Sequence, residues 1–187
     1  MKARDITLAG LFAALTAVGA YIRIPIPYVP FTLQFFFCAM AGLLLGSRLG
    51  MLSQIVYVAV GLCGVPVFTK GGGPGYIFEP TFGYLIGFIL CAFIIGKIVE
   101  NYKEINFIKI YLTSLLGLMV IYLIGVPYMY MLYNFYLGGG KTVWWAIYWG
   151  FLTSIGGDLI LIFILTLLAL KIMPILRKNG LILGKEA

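Results

Sequence analysis

Few residues in this chain could do chemistry, and most of them are acids. Among six acidic residues and no histidine, two carboxylates border apolar runs: Glu79, directly before Pro80, and Asp158, directly after Gly156 and Gly157. Each has two readings. It can lie against the free amides of a helix start, which favour negative charge. Alternatively it can face a cavity, because an ionisable group beside a membrane-like apolar run is costly unless sheltered or paired. Neither acid belongs to a catalytic set. Without histidine, a cysteine pair or an acidic cluster, most metal sites and the common acid–base arrangements are excluded. Cys38, Cys63 and Cys91 form no C-x-x-C pair and read as small buried hydrophobes. The string GGGKT at 138–142 has the look of a phosphate loop. The glycine required five residues before Gly140 is Phe135, however, and no strand precedes it. No nucleotide site is expected, no metal or cofactor, and ATP-driven work would need another protein.

Around the two acids stand polar and aromatic residues that could share their depth. Phe31 and Gln34 open one apolar run, and Thr81, Gly83, Tyr84 and Phe88 open another, with positions 81, 84 and 88 spaced to share a helix face. Asn134 is a further polar candidate, although tyrosines near it are of the kind that form interfacial belts. Ser53 and Gln54 fall within an apolar run, where helix packing is the favoured role.

The elements that position these residues are transmembrane helices. The chain has 187 residues, 63% hydrophobic and 10% charged, well beyond the apolar fraction of soluble domains. A single integral membrane domain over 1–187 is expected, all-α, with six spans near 6–22, 32–46, 49–65, 80–99, 107–132 and 157–173. Only GSRLG separates the second and third runs, so they must form a tight antiparallel pair. Pro25, Pro27 and Pro30 make the stretch RIPIPYVPF a stiff loop. Glycines 71–73 and 75 keep the long connection before Pro80 from being helical. Trp144, Trp145 and Trp149 suggest a short interfacial helix before the last span. Lys2 and Arg4 before a run ending in AVGA resemble a secretory signal. Removing that run would leave five spans with a poorer charge distribution, so it is expected to stay as the first helix.

Charge orients the bundle. With the N-terminus inside, one side collects Lys2, Arg4, Arg48, Lys97, Lys103, Lys109, Lys171, Arg177, Lys178 and Lys185. The other receives only Arg23, Lys70 and Lys141, a split of ten to three that favours both termini in the cytoplasm. The net charge of +7 is explained by this scatter, so no nucleic-acid partner is expected. Asp5, Glu100, Glu104 and Glu186 then fall on the inner side, leaving Glu79 and Asp158 outside. Small residues at four-residue spacing, above all Ala9, Ala13 and Ala17, permit close helix approach, within the chain or to a partner.

The run YVPFTLQFFFCAMAGLLLGSRLGMLSQIVYVAVGLCGVPVF, followed by GGGPGYIFEPTFGYLIGF and by GGD at 156–158, resembles the biotin-specific substrate-binding subunits of energy-coupling-factor transporters. The strings FTLQ at Phe31–Gln34 and PTFGYLIGF at Pro80–Phe88 are specific in combination. The resemblance implies a six-helix protein of the prokaryotic cell membrane that captures biotin at its outer face without catalysis. Its pocket would be capped by the loops at 23–30 and about 63–79. It also implies a transmembrane coupling subunit and two ATPases as partners, docked on the Ala9-x-x-x-Ala13 stripe. Relatives commonly carry a lysine three residues after the aspartate of the GD motif, where this chain has Leu161. Its task would then fall to Lys70, Lys141 or Arg23.

Biotin's ureido ring offers two N–H donors and one carbonyl acceptor, so Asp158 could accept an N–H in a charge-assisted bond while Gln34 or Thr81 serves the carbonyl. Phe31, Tyr84, Phe88 and Trp144 or Trp145 could wall the sulfur ring and tail. Other readings are the same fold holding a different vitamin, a solitary vitamin carrier or channel, and a small membrane transferase.

Overall fold

In the computed structural model, which describes residues 2–178, helices dominate. Lys185 and Glu186 of the charge count lie outside the described residues, as does the side chain of Arg177. Helix α1 covers Ala3–Tyr21 and α2 covers Gln34–Leu62. Helix α3 covers Phe82–Val99, and α4 covers Phe107–Met131 with a π-helical extension at Leu132–Tyr136. Helices α5, Val143–Ile147, and α6, Thr153–Lys178, follow, joined by a π-helical turn at Tyr148–Leu152. Among the described residues five helical stretches are long and apolar enough to cross a membrane, and the chain is a membrane protein.

Helix α2 is a hairpin in all but name. Gly46 within it has φ 79° and ψ −177°, a conformation open to glycine and strained for other residues. Gln34 and Tyr57, 23 residues apart, hydrogen-bond at 2.7 Å; along an unbroken helix they would stand about 35 Å apart. The expected antiparallel pair is therefore present as two arms folded at Gly46. A Cβ on Gly50 would lie 3.0 Å from the Gly42 Cα, so glycine lets the arms touch. Glu100, at the end of α3, closes the turn: its Oε1 accepts from the Ser47 amide at 2.7 Å and the Ser47 hydroxyl at 2.8 Å. A carboxylate at a helix start satisfies amides that have no partner within the helix.

The last span departs from expectation. Instead of a separate interfacial helix and a span beginning near 157, the chain is helical from Val143 through Lys178. Thr142 caps its start, accepting from the Trp145 amide at 3.2 Å. Gly150, Gly156 and Gly157 do not interrupt it, because free backbone groups at membrane depth cost more than glycine's reluctance to be helical. Asp158 therefore lies well inside a helix, which removes the reading of it as a helix-start acid.

Two short strands, Arg23–Ile24 (β1) and Phe31–Thr32 (β2), pair antiparallel in the proline-rich loop, a small exception to the all-α expectation. The long connection holds one 3-10 turn at Pro74–Phe78. Helices α1 to α4 pack in sequence order, and α6 lies against α4 and α2. Gly83 and Gly87 serve that packing: added Cβ atoms would come within 2.6 Å of the Tyr128 ring and 2.8 Å of the Ile121 Cα.

Candidate functional site

The strand-paired loop and the long connection converge on one end of the bundle and cover a cavity. Val29, Pro30, Phe31 and Thr32 of the first loop and Thr69 and Tyr76 of the second line it. Gln34 and Phe35 from α2, Thr81 beside α3, and Tyr84, Leu85 and Phe88 from α3 continue the wall. Leu118, Ile121 and Tyr122 from α4 and Ser154 and Asp158 from α6 complete it. The volume open to water centres is about 60 Å³, where a single water needs roughly 10–15 Å³. A larger ligand requires the covering loops to yield.

Asp158 is 7% exposed and accepts a hydrogen bond from the Tyr122 hydroxyl, across from α6 to α4. Among the described residues no cationic side chain lines the cavity. Gly157, just before it, makes room for the Phe31 ring, which a Cβ would meet at 2.6 Å. The GGD string thus combines a carboxylate with a seat for the covering loop.

Apart from Ser154, the other polar side chains of the wall have hydrogen-bond partners within the protein. Gln34 donates to the Tyr57 hydroxyl at 2.7 Å and accepts from Thr32 at 3.1 Å. Tyr57 in turn donates to the Val67 carbonyl at 3.1 Å, linking α2 to the long connection. Thr69 and Tyr76 pair at 2.9 Å, and Tyr76 and Thr81 at 3.0 Å. Tyr84 donates to the Gly150 carbonyl at 2.8 Å. The two loops are also joined directly: Tyr21 donates to the Pro66 carbonyl and Arg23 to the Thr69 carbonyl. Tyr28 has φ 67° and packs edge-on against Trp145 and Trp149 at 4.8 and 5.3 Å.

Of the residues singled out from the sequence, Phe31, Gln34, Thr81, Tyr84, Phe88 and Asp158 come together here. Four do not. Lys70 and Glu79 pair with each other at 2.7 Å on the surface, with side chains 49% and 34% exposed. Gly83 faces Tyr128. Asn134 stitches its own loop, donating to the Tyr130 and Lys141 carbonyls at 3.1 and 3.0 Å. Trp144 is exposed, Trp145 packs on Tyr28 and Tyr133, and neither lines the cavity. Leu161, three residues after Asp158, is buried.

In the α1 stripe, Ala9 and Ala13 are buried at 2% and 7% exposure and Ala17 is half-buried, and Ala13 and Ala17 still border a groove between α1 and the second arm of α2. Of the small residues in α1, Ala3, Gly10 and Ala14 are exposed, and Gly10 and Ala14 line a groove together with Ala13 and Ala17.

Sequence reasoning missed Tyr122, Thr69, Tyr76 and Ser154. A tyrosine deep in an apolar run needs a partner for its hydroxyl, which is a usable signal for Tyr122. Ser154 precedes Asp158 by one helical turn and becomes visible once the helix is extended back past residue 157.

A BioY family profile matches residues 1–178. A probable biotin transporter BioY of Lysinibacillus sphaericus is 44% identical over 174 residues, 92% of this chain and 88% of the relative. A biotin transporter BioY of Thermotoga maritima is 40% identical over 170 residues, 90% of this chain and 95% of the relative. Among solved structures, the biotin S-component of an ECF-type ABC transporter superposes with TM-score 0.80 at 24% identity, covering 93% of this chain and 95% of that one; at that identity the likeness speaks to fold. With the profile spanning nearly the whole chain and close relatives aligned over most of their length, this protein belongs to the BioY family.

Proposed function

We propose that this chain is the biotin-binding subunit of an energy-coupling-factor importer and that it captures biotin in the loop-covered cavity. The observation that carries the reading is the buried Asp158 carboxylate, braced by Tyr122 and set in a wall of aromatic and aliphatic side chains. A carboxylate in such surroundings binds a neutral N–H group through a charge-assisted bond. Phe31, Tyr84 and Phe88 offer apolar surface to a sulfur ring. Arg23 donates to the Thr69 carbonyl, so a cation stands beside the cavity wall for the ligand's own carboxylate.

The arms of α2 count as two spans in this reading, which makes six, with both termini in the cytoplasm as the charge split favours. The protein is a multi-pass protein of the cell membrane. A transmembrane coupling subunit and two ATPases complete the transporter, with Gly10 and Ala14 on the face of α1 open to the coupling subunit. The chain has no reaction of its own.

Isothermal titration of the purified protein in detergent tests this, with one tight biotin site per chain expected. The reading fails if biotin binds no better than thiamine. A second reading, a different vitamin in the same cavity, draws on the buried Leu161 in place of the family lysine. A competition panel of vitamins separates the two.

A further inference from the structure

Helical serines and threonines usually return their hydroxyl to the carbonyl one turn earlier. In this chain Thr16, Thr113, Thr153 and Thr166 do so, at 2.7 to 3.0 Å. Ser154 does not. It is 6% exposed, and its hydroxyl oxygen is shut off from solvent with no hydrogen-bond partner. The carbonyl it would use belongs to Gly150, inside the π-helical turn, and that carbonyl already accepts from Tyr84 at 2.8 Å. Gly150 holds this arrangement, since a Cβ there would meet the Tyr84 hydroxyl at 2.6 Å. The π turn and Tyr84 together leave a donor free.

Ser114 shares the unpartnered state but lies away from the cavity, whereas Ser154 is part of its wall. Every other polar side chain of that wall has a hydrogen-bond partner: Thr32, Gln34, Thr69, Tyr76, Thr81, Tyr84, Tyr122 and Asp158. A buried hydroxyl without a partner costs free energy, and an acceptor entering the cavity would satisfy this one. Residues four apart on a helix share a face, so Ser154 stands beside Asp158, a donor next to an acceptor. A serine hydroxyl turns among staggered positions without backbone motion.

We propose that Ser154 contacts the ligand, donating to the carbonyl of a cyclic urea while Asp158 accepts the adjacent N–H. This rests on the biotin reading above and adds a specificity: the site reads the ureido oxygen. It also selects against analogues that lack that acceptor, because the hydroxyl would stay unsatisfied in their presence.

The test is a cycle between Ser154→Ala and the ligand. Titrations in detergent compare wild-type protein and Ser154→Ala, each with biotin and with 2-thiobiotin, whose C=S is a weak acceptor. Ser154→Ala is expected to weaken biotin about tenfold and to change 2-thiobiotin by less than about threefold. Melting of the ligand-free variant should be unchanged or slightly raised, since an unsatisfied buried group is removed. Equal losses on both ligands, or undiminished biotin affinity, overturn the proposal. Failure of wild-type protein to bind biotin overturns the biotin reading and this inference with it, a result visible in the first titration. Should Ser154→Ala not fold, Ser154→Cys, a near-isostere and weak donor, carries the same comparison.

Discussion

Two sets of polar side chains are buried in this bundle, and they are wired differently. In the first, Gln54 on α2 donates to Thr16 on α1 at 3.2 Å and to Ser53 at 3.0 Å. All three are fully buried, and Thr16 and Ser53 also return their hydroxyls to the backbone. In the second, Asp158 receives Tyr122, Ser154 is unpartnered, and a cavity lies beside both. The first set holds α1 to α2. The second has a charge, a free donor and space. Buried polarity in a membrane bundle is therefore a sign of a site only where it borders a void; where the groups bond across a seam they act as glue. Gln54 Oε1, which has no partner, is the imperfection in that seam.

The sharpest way to break this contrast is Asp158→Asn. It should weaken biotin binding by about 2 kcal/mol or more, because a charge-assisted bond becomes an ordinary one; titration reads it, and unchanged affinity would remove Asp158 from the site. Next comes Tyr122→Phe, which frees the carboxylate from its brace. A hydrogen bond to a charged group is worth about 1.5–3 kcal/mol; part of that should appear in biotin affinity, with a loss of roughly tenfold by the same assay. An effect on melting temperature alone would make Tyr122 structural only.

Gln54→Met probes the other set. Hydrogen bonds between membrane helices average about 0.6 kcal/mol, and Thr16 and Ser53 keep their backbone bonds, so thermal unfolding in detergent should show a small destabilisation. Biotin affinity should be unaltered; a tenfold loss would show that the seam and the cavity are coupled. The smallest effect belongs to Lys70→Ala. An exposed ion pair contributes about 0–1 kcal/mol, and Lys70 lies outside the cavity wall, so melting should barely change. A large loss of biotin affinity in this variant would give Lys70 the ligand's carboxylate in place of Glu79.

Much of the bundle was legible from apolar runs alone. Five of the six expected runs match helices or arms to within a few residues, and GSRLG correctly marked the reversal between the arms of α2. The sixth begins earlier than the expected 157, because Gly150, Gly156 and Gly157 are not helix breakers here. In water they often are; within a packed apolar bundle the helix continues through them, since no solvent replaces the lost backbone bonds. The candidate site was about half legible. Phe31, Gln34, Thr81, Tyr84, Phe88 and Asp158 stand in strings whose spacing and polarity single them out, and all line the cavity. Lys70 and Glu79 looked equally suitable on charge and position, and only three-dimensional packing showed that they pair on the surface.

By itself the sequence determined that this chain lives in a membrane, that it reverses sharply near Gly46, and that it carries one carboxylate at the edge of its last apolar run. These follow from local properties: hydropathy, backbone freedom and the cost of burying a charge. Tertiary structure alone decided that Tyr122 reaches Asp158, that Ser154 loses its helical acceptor, and that Ala9 and Ala13 are largely covered. Those outcomes depend on which helix faces lie opposite each other, and helix rotation is set by the sum of many weak packing contacts that no single segment contains.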